Sequence, residues 1–331
     1  MPLDAAAQAG SGTSLRVALI QQAKALPAAV DASPPAPAWL ARTALLLGDA
    51  AVASLADRRV LVVGMGGVGS WCAEHLARGG IGHLCIVDGD SVDRSNRNRQ
   101  LPALISTEGQ TKVRVMADRL KDINASLDVA ARHLFLPPDA AAADAVVRAG
   151  MGGRPFDFVV DAIDSIQPKV ELIRAALKHR VRVVSSMGAG GRLDPTRVHV
   201  CDLSELKGDA HELSKAAQAA KKNGRRHPNG RVHVQEKLGR LVRRKLEKGF
   251  GIDRGVCVVT SSEPQRAAHA LTDNKTKNKA SYYGTWSCVP AAFGLHAASV
   301  VLNGLVGGAS AESKAARERR RFAEEAAARH G

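Results

Sequence analysis

Four glycines in six residues, Gly64-Met65-Gly66-Gly67-Val68-Gly69, are where residue type and spacing first imply chemistry in this chain. They follow the β-branched run Arg59–Val63 and precede a helix-like segment from Ser70 to Ala77. A strand that feeds glycines into a helix start offers free N–H groups and the positive end of a dipole, and a phosphate can come close because no side chains intervene. Asp88 ends the next strand-like run, 24 residues after Gly64. A carboxylate there accepts hydrogen bonds from ribose hydroxyls. Together Gly64, Gly66, Gly67, Gly69 and Asp88 predict a nucleotide site, and a tight structural turn is the bland alternative. The glycines alone leave NAD, FAD and ATP open.

The polar segment that follows separates these. It runs Asp88-Gly89-Asp90-Ser91-Val92-Asp93-Arg94-Ser95-Asn96-Arg97-Asn98-Arg99-Gln100, with Lys112 at the start of a later helix-like stretch. Hydride transfer needs no cluster of cations beside the phosphates. Adenylation does, because negative charge builds on the α-phosphate and on departing pyrophosphate. Asp164, after the strand-like Phe156–Asp161, could hold Mg²⁺ on those phosphates. Read singly, Arg97 and Arg99 are surface ion pairs, Lys112 a solvated helix residue and Asp164 a helix N-cap. Their order behind the glycine run favours the adenylating reading.

The elements that must position these residues read as alternating strands and helices. Helical patterning runs from Trp39 to about Leu55. Strands are predicted at Arg59–Val63, His83–Asp88, Leu127–Leu136, Phe156–Asp161, Arg180–Ser186, Arg197–Leu203 and Gly255–Ser261, with helices at Thr111–Ile123 and Lys169–Lys178. Short links between them predict an α/β fold: a Rossmann-like, doubly wound, mostly parallel sheet with a C-terminal α/β extension. The expected organisation is a flexible tail over 1–38 and an ATP-binding adenylation domain over 39–203. A basic part over 204–308, with a possible insertion at 207–234, completes the domain, and a charged tail covers 309–331.

Composition narrows the class. With 331 residues, 45% of them apolar and only 3% aromatic, the chain has enough aliphatic material for a large core. Its net charge is +15, and residues 214–254 hold thirteen Lys/Arg against three acids. There Leu238, Leu241, Val242 and Leu246 fall at helical spacing, and Arg240, Arg243, Arg244 and Lys248 project elsewhere. That is a docked amphipathic helix with a cationic outer face, suited to a polyanion. The five cysteines form no CxxC pair, which excludes a Cys-rich zinc ribbon and fits a reduced intracellular protein. Cys72, Cys85 and Cys257 read as core, and Cys288 is the one to test. Val289–Val306 reads as a buried core helix, so nothing points strongly to a membrane. The expected compartment is the cytoplasm, with a mitochondrial presequence in the Ala-rich N-terminus as the alternative.

In these motifs the chain resembles the ThiF/MoeB-like and ubiquitin-activating-enzyme-like adenylating enzymes. Their fingerprint is GxGGxG, an Asp-x-Asp strand end (Asp88, Asp90), Asn-x-x-Arg-Gln (Asn96, Arg99, Gln100), a Lys (Lys112) and a strand-end Asp (Asp164). The resemblance implies ATP as substrate, with Asp88 on the ribose, Asn96, Arg99 and Lys112 on the phosphates, and Asp164 on Mg²⁺. Within that superfamily the chain looks most like the tRNA threonylcarbamoyladenosine dehydratases, over about residues 39 to 306. Gly80-Ile81-Gly82, Asp161-Ala162-Ile163-Asp164-Ser165 with Pro168-Lys169, and Gly188-Ala189-Gly190-Gly191 carry that likeness. It implies ATP-dependent cyclisation of the threonylcarbamoyl-modified adenosine beside a tRNA anticodon, through a carboxyl-adenylate. It further implies a homodimer, a possible sulfur-relay protein partner, and tRNA held by Arg240, Arg243, Arg244 and Lys248.

The chain departs from the family at Thr43–Gly48, where relatives carry an arginine thought to reach the partner subunit's nucleotide site. Here Leu45 stands at that position, with Arg42 a possible substitute. Two rival functions remain at this stage. One is an activating enzyme for a ubiquitin-like or sulfur-carrier protein, although the paired CxxC of sulfur-carrier activators is missing. The other is a NAD-binding oxidoreductase or a silent nucleotide-binding scaffold.

Overall fold

The computed structural model describes residues 35–206, 237–266 and 283–306. Most of the expected N-terminal tail, the 207–234 insertion and the charged segment from residue 309 lie outside the described residues.

The strands are β1 (Arg59–Val63), β2 (His83–Asp88), β3 (Asp128–His133), β4 (Phe158–Asp161), β5 (Arg182–Ser186), β6 (Val198–Asp202) and β7 (Cys257–Ser261). They form one sheet in the order β3-β2-β1-β4-β5-β7-β6, parallel throughout except for β6 against β7. The helices are α1 (Ala41–Leu47), α2 (Asp49–Ala56), α3 (Gly69–Arg78), α4 (Lys112–Ile123), α5 (Ala140–Arg148), α6 (Ile166–Lys178), α7 (Lys237–Phe250) and α8 (Cys288–Val306).

Every residue of β1 is buried, as expected of a strand covered on both faces. Its alternation sorts the core in two. Val60 and Val62 join Leu84, Ile86, Val160 and Val184 beneath α3, α4 and α8. Leu61 and Val63 join Cys85, Val87, Val159 and Val183 beneath α5, α6 and α7. Strand order reverses between β1 and β4, so the crevice beyond their C-terminal ends is where this fold binds ligands. Gly64 and Ala162, the residues that leave those two strands, meet there.

Three differences from the sequence reading have physical causes. The helical run from Trp39 breaks at Gly48, whose φ of +85° ends α1 and turns the chain by 120° into α2. The third strand stops at His133, short of Leu136. Helix α5 has no counterpart among the predicted elements, although its signals are present. Asp139 Oδ2 caps it by accepting the Ala142 N–H at 2.9 Å, and Ala143, Val146 and Val147 face the core. Among the described residues α8 is long and apolar enough to cross a membrane. Here Val289, Phe293, Ala297 and Val301 are wholly buried, as the sequence predicts for a core helix. Gly294 lets α8 onto α3, since a Cβ there would lie 2.7 Å from that of Trp71.

Candidate active site

The glycine run is built by close approach. Gly64 has φ +96°, and a Cβ on it would sit 2.7 Å from the Ala162 carbonyl oxygen. A Cβ on Gly69 would strike the Gly64 carbonyl, so α3 can start directly beneath the loop only with glycine there. Gly67 lies against Pro290 of α8 and the stem of Arg99 (3.0 and 3.2 Å from its Cβ position). Gly66 is the open member, with only the Gln100 amide nearby at 3.7 Å. The Ser70 hydroxyl donates to the Gly66 carbonyl at 2.6 Å, fixing the loop to the first turn of α3.

Asp88 is held at the end of β2 by two backbone donors. Oδ2 accepts the Met65 N–H at 2.5 Å and Oδ1 the Asp90 N–H at 2.7 Å. Asp90 in turn receives Lys112 Nζ at 2.7 Å. An antiparallel bridge between Ser91 and Thr111 brings the first residue of α4 to this point. Lys112 is 4% exposed, so it is not the solvated helix residue of the bland alternative. Its buried stem brings the ammonium to the Asp90 carboxylate just past the β2 end.

The Asn96–Gln100 segment folds back over the glycines. Asn96 Oδ1 accepts the Asp93 N–H at 3.3 Å, so this amide closes a short capping turn. Hydrogen bonds from Ser95, side chain and backbone, hold the Asp93 carboxyl below the usual range. Arg99 Nη1 donates to Ser95 O and Asn98 Oδ1 at 2.9 and 2.8 Å. Burial lowers its guanidinium pKa, and the Asp164 carboxylate acts the other way. Gln100 is 9% exposed, and its Oε1 is buried without a hydrogen-bond partner. Asn98 Nδ2 donates to Thr285 O at 3.0 Å, which joins this segment to the chain entering α8.

Asp164 is exposed in the turn after β4 and accepts the Ser165 hydroxyl at 3.3 Å. The N-cap of α6 is Ser165, not Asp164, so the bland alternative is again displaced. Among the described residues no three His, Cys, Asp or Glu side chains gather to hold a metal by themselves. A single carboxylate in the turn after β4 could serve Mg²⁺, which keeps waters and takes its other ligands from phosphate.

Sequence reasoning missed the network directly behind. Asp161 and Lys169 are both 0% exposed and pair at 2.7 Å. The Ser185 hydroxyl donates to Asp161 Oδ2 at 2.5 Å, and Lys169 Nζ donates to Ser186 O at 2.8 Å. The cluster pins β4, β5 and α6 together beneath the Asp164 turn. A Lys that opens a predicted helix and an Asp ending a strand give no signal of pairing until the sheet forms.

Helix α7 docks through Val242 and Leu246 as predicted. Arg244 and Lys248 are exposed, but Arg240 and Arg243 are only half-exposed. Arg243 turns along the helix to Glu247 at 2.8 Å rather than outward, which corrects its expected place on the cationic face. Lys245 Nζ reaches Gln167 Oε1 at 2.7 Å in the first turn of α6, three residues from Asp164. Tyr283 packs on the Gly190-Gly191 loop, 2.9 and 3.1 Å from the Cβ positions of those glycines. Cys72, Cys85, Cys201 and Cys257 are buried and Cys288 is exposed. Burial pushes the Cys85 thiol up to about 11.

Comparison with known proteins agrees with this geometry. The ThiF family matches residues 40–319. The tRNA threonylcarbamoyladenosine dehydratase of Escherichia coli (strain K12) is 34% identical over 300 residues, covering 85% of this chain and 97% of that protein. The enzyme of the same name from Bacillus subtilis (strain 168) is 36% identical over 222 residues, covering 67% of this chain and 74% of that protein. A crystal structure of the E. coli enzyme in complex with ATP superposes with a TM-score of 0.65 at 32% identity, over 84% of this chain and 98% of that one. The chain belongs to the ThiF family and, within it, to the tRNA threonylcarbamoyladenosine dehydratases.

Proposed function

We propose that this protein is an ATP-dependent dehydratase of N6-threonylcarbamoyladenosine in tRNA. The observation that carries the reading is the convergence of an open glycine loop, a ribose-ready carboxylate and two cationic side chains at the reversal point of the sheet, in a chain that matches the E. coli dehydratase over nearly its whole length. The glycine loop and the start of α3 would receive the phosphates of ATP, with Gly66 at the closest approach. Asp88 would receive the ribose hydroxyls. Gln100 Oε1, buried and unpartnered, leaves its amide free to settle against whatever lies on Gly66.

The carboxylate of the modified adenosine attacks the α-phosphorus, and the bond to pyrophosphate breaks. The carbamoyl group of the same side chain then closes on the acyl carbon, and AMP leaves with the former carboxylate oxygen. The product is a cyclic base that has lost the elements of water. Arg99 and Lys112 lie where charge grows on the phosphates in the first step. Asp164 would hold Mg²⁺, whose charge screens the phosphates from the incoming carboxylate. Burial lowers the Arg99 guanidinium pKa, and the neighbouring Asp164 carboxylate acts against that shift.

Helix α7 supplies the tRNA contact, through Arg244 and Lys248 foremost, with Arg240 and Arg243 at its flank. It presents six basic side chains against one acidic, beside the turn that carries Asp164. The functional unit is a homodimer. Helix α1 buries none of its side chains, and Leu45 and Leu46 are 83% and 78% exposed. A seven-residue helix with its leucines exposed needs a partner surface to persist. Arg42 sits on this helix, so it is the candidate for the role that Leu45 does not fill.

The test is pyrophosphate release from ATP with and without tRNA carrying the threonylcarbamoyl group, followed by nucleoside analysis of the product. Release that requires the modified tRNA and yields the cyclic base is expected. Release that instead requires a carrier protein ending in Gly-Gly would replace this reading with the carrier-activating one.

A further inference from the structure

Residues 283–287 cross the mouth of the crevice as a strap. At one end Tyr283 lies on the Gly190-Gly191 loop past β5, and Gly191 N–H donates to Gly284 O at 2.8 Å. At the other end Asn98 Nδ2 donates to Thr285 O at 3.0 Å, and Val289 N–H donates to Trp286 O at 3.2 Å. Pro290, in the first turn of α8, then lies 3.0 Å from the Cβ position of Gly67. The strap therefore runs from the loop after β5 to the loop after β1, with β4 and its Asp164 turn between them in the sheet. Its backbone is fixed at both ends, while the Trp286 side chain is left open: the residue is 56% exposed.

A single exposed aromatic carries no meaning in itself. This one stands on the rim of the site, and the rim is cationic. Arg97, exposed, is the neighbour of the Asn98 that grips the strap, and Arg94 and Arg99 belong to the same segment. Neither 94–107 nor 283–306 contains an acidic residue. A nucleoside that enters the crevice from within a polynucleotide leaves its neighbours outside, on this rim. Helix α7 covers the opposite face of the sheet from α8, so the two can hold one polynucleotide from either side of the crevice. We infer that Trp286 is the platform on which a base next to the modified adenosine stacks when the tRNA docks, an inference that rests on the proposed tRNA reading. Base–aromatic stacking is tolerant of base identity, which suits a contact outside the reacting nucleoside. A stack also displaces no counterion, so its loss has a signature that the loss of a cation lacks.

The experiment is titration of the full chain with tRNA carrying the threonylcarbamoyl group at several salt concentrations, with ATP affinity measured beside it. Trp286→Ala should raise the Kd for this tRNA about tenfold at every salt concentration. The slope of log K against log salt should stay that of the parent, and the Kd for ATP should not change. Trp286→Phe should recover most of the loss and Trp286→Leu should not, since leucine supplies apolar area without a ring face. A tRNA Kd in Trp286→Ala within about twofold of the parent overturns the assignment. So does equal recovery by leucine. Weakening that comes with dissociation of the dimer in sedimentation marks Trp286 as a contact between copies, and overturns it as well. A parent chain that binds no modified tRNA refutes the tRNA reading itself, and the platform with it.

Discussion

Lys112→Met separates a structural lysine from one that serves the phosphates. Methionine retains the buried apolar stem and removes the ammonium. The stability cost follows from the partner. Lys112 is 4% exposed, but the Asp90 carboxylate is 53% exposed and can turn to water when the ammonium goes. A half-exposed pair is worth about 0–1 kcal/mol, and the variant no longer desolvates a charge, so the folded state should change by less than ~1 kcal/mol. The catalytic cost is of another size. Removing one preorganised charge from the place where transition-state charge develops lowers kcat about 10²–10³-fold, ~3–4 kcal/mol. Asp90→Asn should fall between, since it leaves the ammonium in place without its 2.7 Å anchor. The assay is single-turnover pyrophosphate release with saturating ATP and modified tRNA, run beside a thermal melt. A Lys112→Met rate within about threefold of the parent, with an unchanged melt, would refute the role given to this lysine.

Three further perturbations test other parts of the molecule. Arg244→Ala with Lys248→Ala should weaken tRNA binding and reduce the slope of log K against log salt by about 1–2, while ATP affinity holds; parallel salt slopes would remove α7 from the interface. Lys169→Met should cost ~3–5 kcal/mol in urea unfolding, because Asp161 is left buried and unpaired, and adding Asp161→Asn should recover part of it; a cost below about 1 kcal/mol would contradict the buried network. Glu74→Gln should cost ~1–3 kcal/mol at neutral pH through hydrogen bonds lost from Arg119 and Arg78. Burial pushes the Glu74 pKa up, but the two arginines more than offset it and hold the folded value below the usual range. The contribution is therefore full above the ordinary glutamate range and is lost as pH falls through the lowered folded value, so parent and variant should converge in acid below that range, and a gap in stability that stays constant from neutral pH into acid would contradict the sign.

The centre of the sheet was legible because β1, β2 and β4 are short apolar runs without polar interruption, which a two-sided parallel sheet requires. Their C-terminal ends also carried the chemistry: Gly64, Asp88 and Asp164 each follow such a run. Helix α5 escaped because its first four residues are alanines, so its apolar stripe is only Ala143, Val146 and Val147. The break at Gly48 escaped because Leu45, Leu46 and Leu47 continue a helical pattern into it. Burial then decides that α2 packs on the core while α1 stays outside. The orientation of Arg243 escaped for a local reason. Glu247 lies one turn on, and an ion pair along the helix draws the guanidinium inward from the face its position implies.

The two aspartates of the β4 turn mark the limit of such reading. Asp161 and Asp164 are three residues apart, and as sequence either could serve a cation. The fold separates them by what each already holds. Asp161 Oδ1 accepts the Ile163 N–H at 3.1 Å, and Oδ2 accepts both Lys169 and Ser185, with Asp161, Lys169 and Ser185 at 0% exposure. Its charge is balanced inside the protein and its oxygens are directed at β5 and α6. A cation placed there would first have to displace a buried ammonium, at a cost of several kcal/mol. Asp164 lies past the strand end, exposed, with Arg99 as its cationic neighbour. The same lysine that makes Asp161 unavailable stiffens the turn that presents Asp164. The buried pair thereby leaves any cation-facing role proposed for this turn to the outer carboxylate.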